Sequence, residues 1–103
     1  MTGNAGLAPT TIEVVLPGVL AADAGGARTL TLQVPGGARV SDVLDALTVA
    51  HPVLGRRIRD ETGALRRHVN VFVGADDVRG LLGQDTPVAA GGTVLILPNV
   101  AGG

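Results

Sequence analysis

The sequence predicts an α+β domain, a mixed sheet of four to five strands with one main helix packed across it. Three observations lead there. Two strand-like segments ending at Pro-Gly come first, a single amphipathic helix follows, and short apolar strands complete the chain. With strands on both sides of one helix, both apolar surfaces share a core most simply when the helix crosses one face of the sheet. At 103 residues this is one small domain, without an internal repeat.

Met1 to Thr10 is rich in Gly, Ala and Asn without a period, and reads as a flexible leader, 1–10, before the folded domain, 11–98. Thr11-Ile12-Glu13-Val14-Val15-Leu16 is rich in β-branched residues and stops at Pro17-Gly18, the pattern of a strand. Val19 to Ala27 is expected to be a loop. In Arg28 to Val34 the alternation places Leu30, Leu32 and Val34 on one face of a half-buried strand, ended by Pro35-Gly36-Gly37. These two strands form a hairpin with a long connection.

The helix is expected over the segment from Val40 to Ala50. Ser41 is a suitable N-cap, and Asp42 in the first turn complements the helix dipole. Val40, Val43, Leu44, Leu47 and Ala50 recur at helical spacing. Val40 before the cap can pack on Leu44 as a hydrophobic staple, and Pro52 bars continuation. Val53 to Arg67 is polar and arginine-rich, with room for one short helical turn. Val69 to Val73 is a third strand, followed by a turn at Gly74-Ala75-Asp76-Asp77, and Val78 can open a short fourth strand. Leu81 and Leu82 are expected to cover the core from a compact turn. Thr93 to Leu97 is the last strand, apolar on both sides as in the middle of a sheet.

Composition excludes several functions. Apolar residues make up 46% and charged ones 17%, which favours a packed core over disorder. Phe72 is the single aromatic residue and net charge is −1, a poor basis for stacking bases or neutralising phosphates. There is no cysteine, so disulfides, thiolate metal sites and cysteine nucleophiles are excluded. Lysine is absent too, which removes a Schiff-base nucleophile. No apolar run approaches the ~20 residues that span a membrane and no signal-peptide pattern is present, so a cytoplasmic protein with no membrane or nucleic-acid partner is expected.

Internal candidates for chemistry have simpler readings. His51 caps a helix end and His68 precedes a strand, without the carboxylate or cysteine partners of a metal site. Asp76-Asp77 reads as turn chemistry, since Asp in a turn bonds the local backbone. Arg56, Arg57, Arg59, Arg66 and Arg67, interrupted by Asp60 and Glu61, read as a solvated face, with an acidic patch on a partner as the alternative. The glycine doublets at 25–26, 36–37 and 91–92 lack a phosphate-binding pattern, and no nucleophile elbow is present.

The C-terminus remains. After Pro98 come Asn99, Val100, Ala101, Gly102 and Gly103, an uncharged, slender segment that extends at most ~17 Å and whose glycines pass through channels too narrow for a side chain. Such a flexible tail, 99–103, presents the Gly103 carboxylate. A carboxylate needs activation, for instance as an acyl-adenylate. A sulfur nucleophile then converts it to a thiocarboxylate, itself a nucleophile, and docking to an acceptor supplies proximity.

Thr93-Val94-Leu95-Ile96-Leu97-Pro98-Asn99-Val100-Ala101-Gly102-Gly103 resembles the terminus of the ThiS/MoaD family of ubiquitin-like sulfur carriers, a likeness that spans about 11–103 and implies the β-grasp fold. Arg67 to Val73, Asp76-Asp77-Val78-Arg79 and Val100 to Gly103 resemble most the actinobacterial carriers of cysteine biosynthesis. Gly74, where those carriers tend to have asparagine, and the long leader are departures. The resemblance implies a protein cosubstrate and not an enzyme. It implies adenylation of Gly103 by an E1-like enzyme of the MoeB/ThiF type using ATP, then thiocarboxylate formation, with Asn99, Val100, Ala101 and Gly102 entering the partner. In the cysteine branch it implies attack on the aminoacrylate of a pyridoxal-phosphate-dependent cysteine synthase, an acyl shift, and release by a JAMM-type zinc protease. No cofactor or metal is expected on the chain itself. The small subunit of molybdopterin synthase, a carrier for a thiolated natural product, a ubiquitin-like protein modifier and a plain interaction domain stay open.

Overall fold

The computed structural model describes residues 8–98. The expected leader lies outside them up to position 7, and the expected tail, Asn99 to Gly103, lies outside them entirely. The strands are β1 (Thr10–Val15), β2 (Thr29–Val34), β3 (Val69–Val73), β4 (Asp76–Asp77) and β5 (Thr93–Pro98), and the helices α1 (Gly18–Ala21), α2 (Val40–Ala50) and α3 (Pro52–Ile58). The sheet runs β2-β1-β5-β3-β4. β1 and β2 form the expected antiparallel hairpin, Thr10 opposite Val34 and Val15 opposite Thr29. β5 lies between β1, to which it is parallel at Val14–Val94, and β3, to which it is antiparallel from Val69–Pro98 to Val73–Val94. This five-stranded mixed sheet with helices across it is the β-grasp arrangement.

The core sits on one face of that sheet. Ile12, Val14, Val34, Val69, Val71, Val94 and Ile96 meet Val40, Val43, Leu44 and Leu47 of α2 and Leu54 and Ile58 of α3, all buried. The stripe on α2 ends sooner than its spacing predicts, because Ala50 is exposed. On β2, Leu30 and Leu32 share the face of Val34 and are half-buried, as the alternation predicts.

Several local expectations are corrected. The N-cap of α2 is Arg39, not Ser41, and Val40 is its first helical residue rather than a staple before the cap. The first amides are satisfied from elsewhere: the Asp42 carboxylate accepts from the Arg39 N–H at 2.8 Å, and the Thr86 carbonyl accepts from the Val40 N–H at 2.9 Å. Val19 to Ala27 is not a plain loop, since α1 and a 3₁₀ turn at Ala22–Ala24 pack Leu20, Ala21 and Ala24 into the core. Pro52 ends α2 but also opens α3 at its first turn, where a missing N–H removes nothing a helix uses. Asp76–Asp77 is the fourth strand rather than only a turn, and Val78 starts a 3₁₀ turn instead of that strand. Leu81 and Leu82 do not cover the core; they are 47% and 67% exposed, and Val78 and Val88 are buried instead.

Gly74, at φ 62°, turns β3 into β4 with Asp76 opposite Val73. Glycine at the first central position of a two-residue hairpin is the requirement of a type II′ turn. Arg79 then covers the part of the β3 edge that the two-residue β4 does not reach. Its guanidinium donates to the Val69 and Arg66 carbonyls at 2.7 and 2.9 Å and to Asn70 Oδ1 at 3.0 Å.

Two features carry tests. A Cβ on Gly55 would lie 2.4 Å from Thr48 Oγ1 and 2.8 Å from Thr48 Cβ, across the α2–α3 contact. Alanine is the better helix former by ~1 kcal/mol, yet overpacking of this kind costs about 1–3 kcal/mol. Gly55→Ala should therefore lower the urea midpoint; an unchanged or higher midpoint would show that the helices do not meet here. The second is Asp60, whose carboxylate accepts from the Thr62 hydroxyl at 2.6 Å, the Thr62 N–H at 2.8 Å and the Ala64 N–H at 3.2 Å. The Thr62 hydroxyl foremost, then the backbone donors, holds its pKa below the ordinary value of 3.8. A depressed folded pKa means the stabilisation is full above the unfolded value and disappears as pH falls from there through the folded one. In an NMR titration Asp60 should protonate below its ordinary value as pH falls, and Asp60→Asn should flatten this acid limb of stability while leaving the neutral region parallel to the parent.

Candidate functional site

The predicted reactive group, the Gly103 carboxylate, and its neighbours Asn99, Val100, Ala101 and Gly102 lie outside the described residues. What the structure describes is their root. β5 leaves the sheet at Pro98, which pairs with Val69 on the β3 side. On the other side β1 stops earlier, its last pair with β5 being Val15–Leu95. Leu97 and Pro98 therefore run past the end of β1, where a proline's missing N–H interrupts no ladder.

A groove of about 350 Å³ opens beside this overhang. Pro98 and Val69 form one wall, Val19 and Leu20 of α1 another, and Arg56, Arg57, Arg66 and His68 the rest. Several of the basic groups are held. Arg57 pairs with Asp23, and Arg66 Nε donates to the Arg56 carbonyl at 2.7 Å. Arg56 is exposed and enters no ion pair among the described residues.

The arginine cluster thus has two jobs. Arg59 turns the other way, donating to Asp45 Oδ1 at 2.8 Å and Gln84 Oε1 at 3.2 Å, while Gln84 donates to the Gly63 carbonyl at 2.8 Å. This network ties α3 to α2 and to the 3₁₀ turn at Gly83–Asp85, so Arg59 is structural. Arg56, Arg57 and Arg66 converge at the tail root. Sequence reasoning marked the arginines, and His68 directly follows two of them, but it did not find Val19 or Leu20 beside them; spacing along the chain carries no signal for that meeting.

The other internal candidates settle as turns and caps. His51 links α2 to α3, donating its N–H to the Leu47 carbonyl and accepting from the Gly55 N–H. Asp77 accepts from the Arg79 N–H at 2.8 Å, the expected turn chemistry. No group of three His, Cys, Asp or Glu that could hold a metal occurs among the described residues, and none of the described helices is long and apolar enough to cross a membrane.

On the sheet face away from the helices, strand register places Phe72, Leu95 and Val15 in one row, with Leu97 beside them. All four are only half-buried. A partner resting on this face would cover apolar surface within reach of the tail.

Known proteins share this arrangement. The sequence pattern of the ThiS family matches residues 14–103. Small archaeal modifier protein 1 of Haloferax volcanii is 40% identical over 82 residues, 80% of this chain and 90% of that protein. A crystal structure of SAMP1 from that organism superposes with a TM-score of 0.78 at 36% identity, over 90% of this chain and 99% of that one. The sulfur carrier protein CysO of Mycobacterium tuberculosis is 33% identical over 94 residues, 89% of this chain and 98% of that protein. A chain in the crystal structure of the Amycolatopsis orientalis BexX/CysO complex gives a TM-score of 0.74 at 33% identity, over 89% of this chain and 99% of that one. With the fold and the pattern of residues 14–103 in agreement, the chain belongs to the ThiS family of ubiquitin-like sulfur carriers, small carrier proteins rather than enzymes.

Proposed function

We propose that this chain carries sulfur as a thiocarboxylate on Gly103. The observation that carries the reading is the central position of β5, held by β1 and β3 through Leu95 and by β3 alone out to Pro98, together with a family pattern that runs through Gly103. An E1-like enzyme of the MoeB/ThiF type joins the Gly103 carboxylate to the α-phosphate of ATP, releasing pyrophosphate. Sulfide-level sulfur, as hydrosulfide, then attacks the acyl carbon, AMP leaves with the electron pair of the broken C–O bond, and loss of the sulfur-bound proton leaves the thiocarboxylate. Asn99, Val100, Ala101 and Gly102 thread the partner's channel, and the half-buried row of Val15, Phe72 and Leu95 rests on the partner's surface.

Cysteine biosynthesis is the acceptor pathway favoured by the likeness to CysO over 89% of the chain. There the thiocarboxylate attacks the acceptor formed on a pyridoxal-phosphate-dependent synthase, and a JAMM-type zinc protease returns the carrier. ATP, pyridoxal phosphate and zinc belong to these partners. A protein modifier joined to target amines through Gly103 is the second reading, favoured by 40% identity to small archaeal modifier protein 1.

Incubation with the cell's adenylating enzyme, ATP and a sulfur source should produce an oxygen-to-sulfur exchange at the C-terminus by intact-mass analysis. Deletion of Gly103 should abolish it without changing the unfolding midpoint; sulfur transfer by that deletion variant would sink the mechanism. Stable isopeptides to cellular proteins, in place of sulfur delivery to the synthase, would select the modifier.

A further inference from the structure

We infer that the basic groove at the root of the tail is the docking site for an acidic segment of the enzyme that activates the tail. The inference rests on the proposed sulfur-carrier reading and adds where, and by what chemistry, that enzyme takes hold.

Position comes first. Pro98 forms a wall of the groove, and Gly103 follows five residues later, at most ~17 Å in full extension. An active site that holds the Gly103 carboxylate must therefore bring its own surface close to the groove.

Charge is the second argument. The whole chain carries −1, yet three guanidinium-bearing residues and no carboxylate line this groove. Asp23, on the adjoining 3₁₀ turn, offsets Arg57, and the Asp60 carboxylate attracts Arg66, which leaves Arg56 as the exposed groove arginine without an ion pair among the described residues. The local excess is thus a matter of placement and not of composition. It is also partly preorganised, because the bond from Arg66 Nε to the Arg56 carbonyl fixes one guanidinium before any partner arrives, and ordering costs on binding fall accordingly. A nucleic-acid partner fits less well, since one aromatic residue and an overall negative charge leave little to hold a phosphate chain.

Shape gives the third. Val19 is 66% exposed on the wall formed by α1, and the groove lies beside the stretch of β5 that runs past the end of β1. A segment with two or three carboxylates around one apolar side chain would match the arginines and Val19 together. Charges at the edge of an interface act mainly on encounter, so the contribution should appear in the association step.

The test uses the full chain with the adenylating enzyme of the same cell, followed by ATP–pyrophosphate exchange. Arg56→Glu and Val19→Glu change exposed side chains that make no core contact, and Arg39→Glu is a charge-matched control away from the groove. At about 0.1 M salt, where screening reaches about 10 Å, kcat/KM should fall roughly tenfold for each groove variant through KM, with kcat unchanged. At about 1 M salt, where screening shortens to about 3 Å, Arg56→Glu should match the parent. The control should keep the parent's kinetic values, and thermal unfolding should be unchanged in both groove variants. Equal kcat/KM for Arg56→Glu and the parent at low salt would overturn the docking site, as would an equal loss in Arg39→Glu. Exchange by the parent with no groove effect leaves the carrier reading intact and removes only this inference. No exchange by the parent removes both.

Discussion

The placement of β5 between β1 and β3 is the constraint on which the rest depends. Val94 and Ile96 are fully buried against the helices, and the strand is bonded on both sides through Leu95. A last strand in the middle of a sheet cannot peel away without exposing both flanks, so its end is held by the most protected part of the molecule. The remaining elements follow. β1 and β2 shield one flank, β3 and β4 the other, and α2 and α3 cover the face that Val94 and Ile96 present. On the proposed reading, in which the chemistry lies beyond Pro98, this anchors the root of the tail to the core.

The same placement explains which parts of the fold were legible. Strand periodicity found β1, β2, β3 and β5 within a residue or so, because each presents alternate or continuous apolar side chains to one core. The cap of α2 was not legible. Ser41 has the right side chain, but the amide of Val40 is taken by the carbonyl of Thr86, forty-six positions away in sequence order. A tertiary hydrogen bond of that span leaves no local trace. The turn leucines mislead for the converse reason: Val78 and Val88 already fill the space beneath Leu81 and Leu82, so hydrophobicity alone overstates burial.

The arginines show how a composition signal divides once chain geometry is known. Five were read as one solvated face, yet Arg59 is 15% exposed in its side chain and bridges two helices and a turn, while Arg56 lies open beside the tail root. Nothing in their spacing separates them. The separation comes from the end of α3, where Arg59, the residue that follows the helix, bonds Asp45 of α2, while Arg56 one turn earlier stays exposed at the edge of the tail-root groove. The expected tip of the candidate site, the final glycines, lies outside the described residues; its root, where α1, α3, β3 and β5 meet, was illegible in the sequence.

Gly74 shows which departures from a family pattern matter. Its φ of 62° is the left-handed region that glycine enters freely and asparagine tolerates better than other side-chain residues. Glycine there sets the two-residue turn that pairs Asp76 with Val73, at the end of β3 opposite the Val69–Pro98 pair where β5 leaves the sheet. The departure therefore carries no argument for a different acceptor, since it alters neither the sheet nor the direction in which β5 leaves it. Differences that bear on the acceptor must alter what a partner touches, which on the proposed reading is the open row of Val15, Phe72 and Leu95 or the basic rim beside Pro98. The core can be shared throughout the family because its task is the same for every acceptor, while these two surfaces can differ at little cost to folding.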